Sequence, residues 1–144
     1  MNTAIIGAGS IGLAAALVCQ RAGHSVSVFD PHGFDQKSLS GEIDPRVWAL
    51  GGQSTGLLED LGTWSPDERV VPYQSMHVID ARSDAKVTFS EPSLGYLVEA
   101  DWVRNQLLAQ VAGSTIRCVS DRVETVSECG ILELQHDQAE ADLV

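Results

Sequence analysis

Three glycines near the start of the chain have the spacing of a phosphate-binding turn. Gly7, Gly9 and Gly12 form the pattern G-x-G-x-x-G. In such a turn the first glycine allows a sharp change of direction, the second lets a phosphate approach the backbone, and the third lets the following helix lie close to the strand. The free N–H groups and the positive dipole end of that helix face the anion. The pattern predicts binding of a dinucleotide pyrophosphate.

A carboxylate follows this turn at the distance that a dinucleotide site requires. Asp30 ends the alternating run 25–29, and an acidic residue about 20 residues past the turn accepts hydrogen bonds from ribose hydroxyls. We therefore predict that Asp30 is a ribose ligand. The alternative is an ordinary βαβ unit in which the glycines serve packing alone.

The segments around these residues are the elements that must position them. The apolar run 3–6 predicts a buried strand, the Ala-rich segment 10–22 predicts a helix that ends before Gly23, and the run 25–29 predicts a second strand parallel to the first. The segment 31–45 has two prolines and no helical periodicity. It predicts a loop where an NAD-binding half-domain would continue into a second helix.

The remaining patterns indicate a mixed layout. They predict helices at 52–61 and 100–112, strands at 74–81, 86–90, 95–99 and 115–119, a hairpin from 122–126 to 130–135, and the start of a strand at 141–144. The fold class predicted is α/β, a Rossmann-like FAD/NAD(P)-binding domain whose parallel sheet is interrupted by an antiparallel insertion. This layout suits an FAD-binding module better than a plain NAD domain.

Composition excludes several functions. The 144 residues include 20 Asp and Glu against 9 Lys and Arg, a net charge of −11, which argues against nucleic acid and anionic membrane surfaces as partners. No cation precedes the uncharged stretch 3–19, which is short and interrupted by glycines, so we expect neither a signal peptide nor a membrane span. The expected location is cytoplasmic.

The cysteines and histidines show no pattern typical of chemistry. Cys19, Cys118 and Cys129 are an odd number without close pairing, which predicts reduced, buried thiols. The four histidines are scattered without ligand spacing. We predict no metal site.

Two further segments carry a more specific signal. Residues 44–50 read Asp-Pro-Arg-Val-Trp-Ala-Leu, residues 57–62 read Leu-Leu-Glu-Asp-Leu-Gly, and residues 94–99 read Leu-Gly-Tyr-Leu-Val-Glu. These segments, with the closing Ala-Asp-Leu-Val at 141–144, resemble the FAD-dependent aromatic hydroxylases of ubiquinone biosynthesis, which belong to the p-hydroxybenzoate hydroxylase-like flavin monooxygenases. The resemblance runs over essentially the whole chain.

The resemblance implies a cofactor and a reaction. FAD would be bound without a covalent link, NAD(P)H would be the electron donor, and O2 would hydroxylate an aromatic ring that carries a prenyl tail in the ubiquinone branch. It implies these cofactor-binding residues: Gly7, Gly9 and Gly12 at the pyrophosphate, Asp30 at the ribose, Arg46 along the diphosphate, and Glu99 near the ribityl chain. Arg46 as a surface residue and Glu99 as a helix-start carboxylate are the alternatives. Arg104 is expected to be solvated.

Two motifs of this family are not found in residues 1–144, and their expected positions determine which part of the domain we expect this chain to be. An Asp-Gly motif would begin just past Val144 and a Gly-Asp motif much later, so we expect residues 1–144 to be the N-terminal portion of an FAD-binding domain that is C-terminally incomplete. No catalytic residue is predicted, the parts that cover the substrate and the isoalloxazine ring are absent, and the chain alone is expected to be inactive. Uncovered sheet edges favour self-association, and peripheral membrane association would depend on missing parts. The alternatives are an FAD-dependent oxidase or dehydrogenase of another family, a plain NAD-binding protein, and a truncated, non-catalytic nucleotide-binding module.

Overall fold

The computed structural model describes residues 1–39, 43–83 and 85–144. In chain order their elements are β1 (Asn2–Ile6), α1 (Ser10–Arg21), β2 (Ser25–Phe29), β3 (Val47–Leu50), α2 (Gly52–Asp60), β4 (Val70–Ile79), β5 (Lys86–Glu99), α3 (Ala100–Ala112), β6 (Arg117–Val119), β7 (Val123–Val126), β8 (Ile131–Leu134) and β9 (Gln138–Glu140). No helix in these ranges is long and apolar enough to cross a membrane, and no group of three or more His, Cys, Asp or Glu in them could hold a metal ion.

A parallel sheet carries the glycine turn. Its strand order is β1-β2-β6, and β1 and β2 pair in register from Asn2 beside Ser25 to Ile6 beside Phe29. On the other edge of β1, the Ala4 N–H donates to the Leu143 carbonyl at 2.7 Å, which places Leu143 in parallel register beside Thr3. The carboxyl ends of these strands therefore meet at one edge of the sheet, where the glycine turn and Asp30 follow.

The parallel sheet lies between two different layers. On one face, Val26 and Val28 pack with buried residues of the helices. On the other face, Ala4 and Phe29 pack against Leu132 of β8, which belongs to the antiparallel sheet β7-β8-β9. The alternation of side chains along β2 separates the two cores.

Helices α1 and α3 pack on the same face of the sheet. Leu13, Ala16 and Leu17 of α1 are buried, and the small side chain of Ala16 lets the helix lie close. In α3 the Trp102 indole is 1% exposed, packs edge-on against Trp64, and donates from Nε1 to Asp67 Oδ2 at 2.9 Å. The buried ring therefore has a partner for its polar atom.

The insertion forms a second antiparallel sheet with strand order β3-β5-β4. The sequence patterns at 86–90 and 95–99 suggested two strands, and this was wrong because they form the single strand β5. Pro92 has no N–H to donate. The pairing shifts between Tyr73 and Ser75 of β4, and this irregularity accommodates the proline without ending the strand.

The predicted fold class is confirmed in its main parts. The α/β layout, the parallel strands, the antiparallel insertion and the helix at 100–112 are all present. Strand β9 was missed, because three residues carry too little periodicity to be detected. The expectation of buried cysteines was wrong: Cys118 and Cys129 are exposed, and Cys19 is half-buried.

The fold requires glycine at two of the three glycine positions of the turn. Gly7 has φ +103, a conformation that side chains rarely adopt. A Cβ on Gly12 would lie 2.0 Å from the Gly7 carbonyl oxygen, so α1 can approach β1 only with glycine there. A Cβ on Gly9 would meet no atom within 4 Å. The fold therefore requires Gly7 and Gly12 but leaves the space beside Gly9 open.

We expect Gly12→Ala to destabilise the protein and Gly9→Ala to leave its stability nearly unchanged. The first substitution forces overpacking against backbone, which lowers Tm by at least about 5 °C. The second places alanine at φ −73 and ψ 172, an ordinary extended conformation, in open space. Thermal unfolding followed by circular dichroism measures both. Equal Tm values for the two variants would contradict this reading of the turn.

Candidate nucleotide-binding site

The glycine turn leads directly into the N-terminus of α1. The Gly7 N–H donates to the Phe29 carbonyl at 2.8 Å, and the first hydrogen bond of the helix joins the Leu13 N–H to the Gly9 carbonyl at 2.9 Å. The N–H groups at positions 10–12 therefore have no acceptor within the helix. With the open space at Gly9, these donors form a cradle suited to an anionic oxygen.

Asp30 lies against this turn, as the sequence predicts. Its Oδ2 accepts from the Ala8 N–H at 2.7 Å, and its Oδ1 accepts from the His32 N–H at 2.8 Å. Each carboxylate oxygen has a second lone pair, so Asp30 can hold the turn and still accept from a ribose hydroxyl. The ribose contact itself stays a prediction.

Arg46 is held by two carboxylates. Its Nε and Nη2 donate to the two oxygens of Asp44 at 3.2 and 3.0 Å, and Nη2 also donates to Asp101 Oδ1 at 2.9 Å. The hydrogen bonds from the Arg46 side chain and backbone lower the pKa of the Asp44 carboxyl. The Arg46 side chain is 59% exposed, and its Nη1 donors are not used by Asp44 or Asp101. Arg46 is thus oriented but accessible.

Glu99 is buried, at 4% exposure, and forms an ion pair. Its Oε1 accepts from Arg69 Nη1 at 2.5 Å, and its Oε2 accepts from the Asp44 N–H at 2.8 Å. Arg69 also donates to the Leu39 carbonyl. A buried carboxylate needs such partners. Arg69 was not found from the sequence, where a cation ahead of an apolar strand carries no distinctive signal. A contact between Glu99 and a ribityl chain stays a prediction.

Arg104 is half-buried and bound to three backbone carbonyls, contrary to the expectation from its place on a helix. Its Nε donates to the Ala8 carbonyl at 3.0 Å, Nη1 donates to the Asp35 carbonyl at 2.9 Å, and Nη2 donates to the Gly33 carbonyl at 3.2 Å. One side chain of α3 thus joins the glycine turn to the loop that follows Asp30. Only the structure brings these sequence-distant carbonyls together.

Two neighbours of Arg104 on α3 bind other parts of the chain. Asp101 accepts from Lys37 Nζ at 3.1 Å as well as from Arg46. Asn105 accepts from the Lys37 N–H at 3.0 Å and donates to the Lys37 carbonyl at 2.7 Å. Residues three and four positions apart share a helix face. One face of α3 therefore brings together the glycine turn, the loop after Asp30, and Arg46, while Glu99 immediately precedes the helix.

Sequence comparison finds a partial relative. No known protein-family profile matches the chain. The mitochondrial ubiquinone biosynthesis monooxygenase COQ6 of Xenopus tropicalis is 36% identical over 86 residues, which cover 56% of this chain and 18% of that protein. The chain thus matches less than a fifth of its curated relative.

Structural comparison finds longer proteins of the same fold. A Y270A mutant of 2-methyl-3-hydroxypyridine-5-carboxylic acid oxygenase has a TM-score of 0.74 at 16% identity, covering 99% of this chain and 38% of that one. The 2,6-dihydroxypyridine-3-hydroxylase of Arthrobacter nicotinovorans has a TM-score of 0.67 at 20% identity, covering 99% and 35%. These comparisons confirm the resemblance predicted from the sequence, to the FAD-dependent aromatic hydroxylases.

Proposed function

We propose that this chain is the FAD-binding portion of a flavin-dependent monooxygenase that hydroxylates an aromatic ring of a ubiquinone precursor, using NAD(P)H and O2. The observation that carries the proposal is the arrangement around the glycine turn: an open cradle at Gly9, the Asp30 carboxylate against the turn, and Arg46 held at the same face of α3. The partial identity to a ubiquinone biosynthesis monooxygenase supports the finer assignment of substrate.

The residues of this site fit the ADP half of FAD. The cradle at Gly9 and the free N–H groups of α1 suit the diphosphate, and the Asp30 carboxylate suits the ribose. Arg46 offers a permanent charge and a planar set of donors for phosphate oxygens. That charge matters in a chain of net charge −11, because an anionic ligand needs local cations against the overall field.

The chemistry of the reaction would come from the cofactor, and this chain would hold it in place. When bound, FAD supplies the electron transfer from NAD(P)H and the activation of O2. We propose that Gly7, Gly9, Gly12, Asp30, Arg46 and Glu99 bind the cofactor, and that residues 1–144 form an FAD-binding domain without a catalytic residue of its own. Glu99 would act at the ribityl chain, supported by its place just before α3. A cytoplasmic location stays a prediction.

The first test uses the purified chain with added FAD. We expect measurable ADP binding, poor retention of FAD and no NAD(P)H oxidation, because the cradle and Asp30 suit the ADP half alone and a flavin ring left in water lacks apolar burial. Visible spectroscopy after gel filtration and the absorbance of NAD(P)H measure these. A chain that binds no adenine nucleotide would overturn the proposal. Tightly bound FAD with substrate-dependent turnover would show that the cofactor site is complete, and turnover without hydroxylated product would favour an oxidase or dehydrogenase.

We expect Gly9→Ala to weaken ADP binding by about tenfold or more while Tm stays nearly unchanged. The added methyl group occupies the open space of the cradle and blocks the diphosphate, although it meets no protein atom within 4 Å. Isothermal titration with ADP measures the loss. Unchanged affinity would show that the diphosphate does not approach the backbone at Gly9.

Replacing Asp30 tests the ribose contact. Asn keeps one oxygen for the Ala8 N–H but loses the charge, so we expect Asp30→Asn to bind ADP about tenfold more weakly. In the wild-type chain, 2′,3′-dideoxy-ADP should bind more weakly than ADP, and in Asp30→Asn this difference should shrink, as coupled groups require. If the dideoxy penalty is the same in both chains, Asp30 does not contact the ribose.

Arg46→Ala tests the role of the oriented guanidinium. It should weaken ADP binding by about tenfold and change Tm little. Asp44 keeps its bond from the backbone N–H of residue 46, and Asp101 keeps its pair with Lys37, so neither carboxylate is left without a partner. Arg82→Ala is the matched control, since Arg82 lies in the turn after β4, and its contact with Asp80 is made by the backbone N–H. Equal affinities for the two variants would remove Arg46 from the site.

A further inference from the structure

We infer that Arg104 is a positioning residue of the nucleotide site, which fixes the glycine turn in its phosphate-binding conformation through the Ala8 peptide group. The inference rests on the proposed nucleotide-binding function and extends it to a residue outside the glycine pattern. It starts from the three carbonyl groups that the Arg104 guanidinium contacts.

Ala8 is held from both sides. It lies between Gly7 and Gly9 and is 1% exposed. Its N–H donates to Asp30 Oδ2 at 2.7 Å, and its carbonyl accepts from Arg104 Nε at 3.0 Å. Glycines on either side give this stretch of backbone more conformational freedom than any other residue would. The two charged side chains therefore restrict a segment that the glycines alone would leave mobile.

Holding the Ala8 carbonyl also sets the direction of the next N–H group. The peptide bond is planar and trans, so the Ala8 C=O and the Gly9 N–H point in opposite directions within one plane. Because Arg104 Nε fixes the carbonyl end, it fixes the Gly9 N–H as well. That N–H belongs to the residue beside which the cradle is open. Arg104 thus determines where a donor of the turn points without touching the ligand.

The planar shape of the arginine side chain is what allows it to bind three carbonyl groups at once. The three acceptors are carbonyl oxygens of Ala8, Gly33 and Asp35, and they use Nε, Nη2 and Nη1. Guanidinium presents five donors in a fixed plane, whereas an ammonium is a compact point charge. Lysine at this position would keep the charge and much of the packing but would not hold the three carbonyls together.

The consequence is a preorganised turn. A turn already ordered before binding avoids the entropy cost of ordering it with the ligand. Loss of Arg104 should therefore weaken ligands that carry a diphosphate more than ligands that lack one. Asp30, the predicted ribose ligand, keeps its own bond to Ala8, so adenosine binding should depend little on Arg104.

The test compares Arg104→Lys and Arg104→Ala with Asn105→Ala. Asn105 is the matched control, because it holds Lys37 in the loop and makes no bond to the turn. For both Arg104 variants we expect ADP affinity to fall about tenfold and adenosine affinity to change by less than about twofold. For Asn105→Ala both affinities should stay within about twofold. Isothermal titration with ADP and an NMR titration with adenosine provide these values.

A second measurement needs no ligand. Amide hydrogen exchange of the unliganded chain should become faster at residues 8–12 in Arg104→Lys, and at residues 36–39 alone in Asn105→Ala. Should Arg104→Ala fail to fold, Arg104→Lys carries both measurements. Equal losses for ADP and adenosine, or unchanged exchange at residues 8–12, would overturn the inference. A wild-type chain that binds no ADP would instead refute the proposed function, and exchange alone would then decide the role of Arg104.

Discussion

The hydrogen bonds made by the polar face of α3 hold together parts of the chain that have no regular structure of their own. Backbone groups outside helices and sheets need other partners when they are covered. Arg104 and Asn105 supply those partners to the turn and to the loop after Asp30, and Asp101 binds the side chain of Arg46. The helix itself is fixed by burial of its opposite side, including Trp102 and Leu107. The packed helix thus fixes the positions of the irregular segments that its polar face binds.

Many of the positively charged side chains of this chain lie around α3. Of only 9 Lys and Arg, Lys37, Arg46, Arg69 and Arg104 all contact the α3 face, the residue before it, or the segments it holds. Three of them are paired with carboxylates. Pairing compensates part of their charge, so these cations give direction to donors more than they change the overall field. A strongly acidic chain can in this way offer an anion a local site.

Sequence patterns predicted the regular elements well and the contacts between them poorly. The helix at 100–112 and the strand at 25–29 were predicted with their observed bounds, because periodicity and flanking glycines determine them locally. The position of Asp30 against the turn could be predicted because it follows from a fixed spacing, and its ribose contact stays a prediction. Arg104 was interpreted as solvated, since its acceptors lie 69 to 96 residues away in the sequence. The exposure of Cys118 depends likewise on which side of an edge strand stays uncovered.

The need for glycine at each position of the turn bears on whether the turn serves packing alone or also a ligand. If the turn served packing alone, glycine would be needed only where the fold requires it, at Gly7 for its φ of +103 and at Gly12 for its close approach to the Gly7 carbonyl. Gly9 meets neither condition: its φ of −73 and ψ of 172 are open to other residues, and a Cβ there would meet no atom within 4 Å. Packing gives no reason for the missing side chain at position 9, and what glycine keeps open there is the approach to the N-terminus of α1. Among the three glycines, Gly9 is therefore the one whose presence argues for a ligand, and it lies beside the peptide group that Asp30 and Arg104 hold in place.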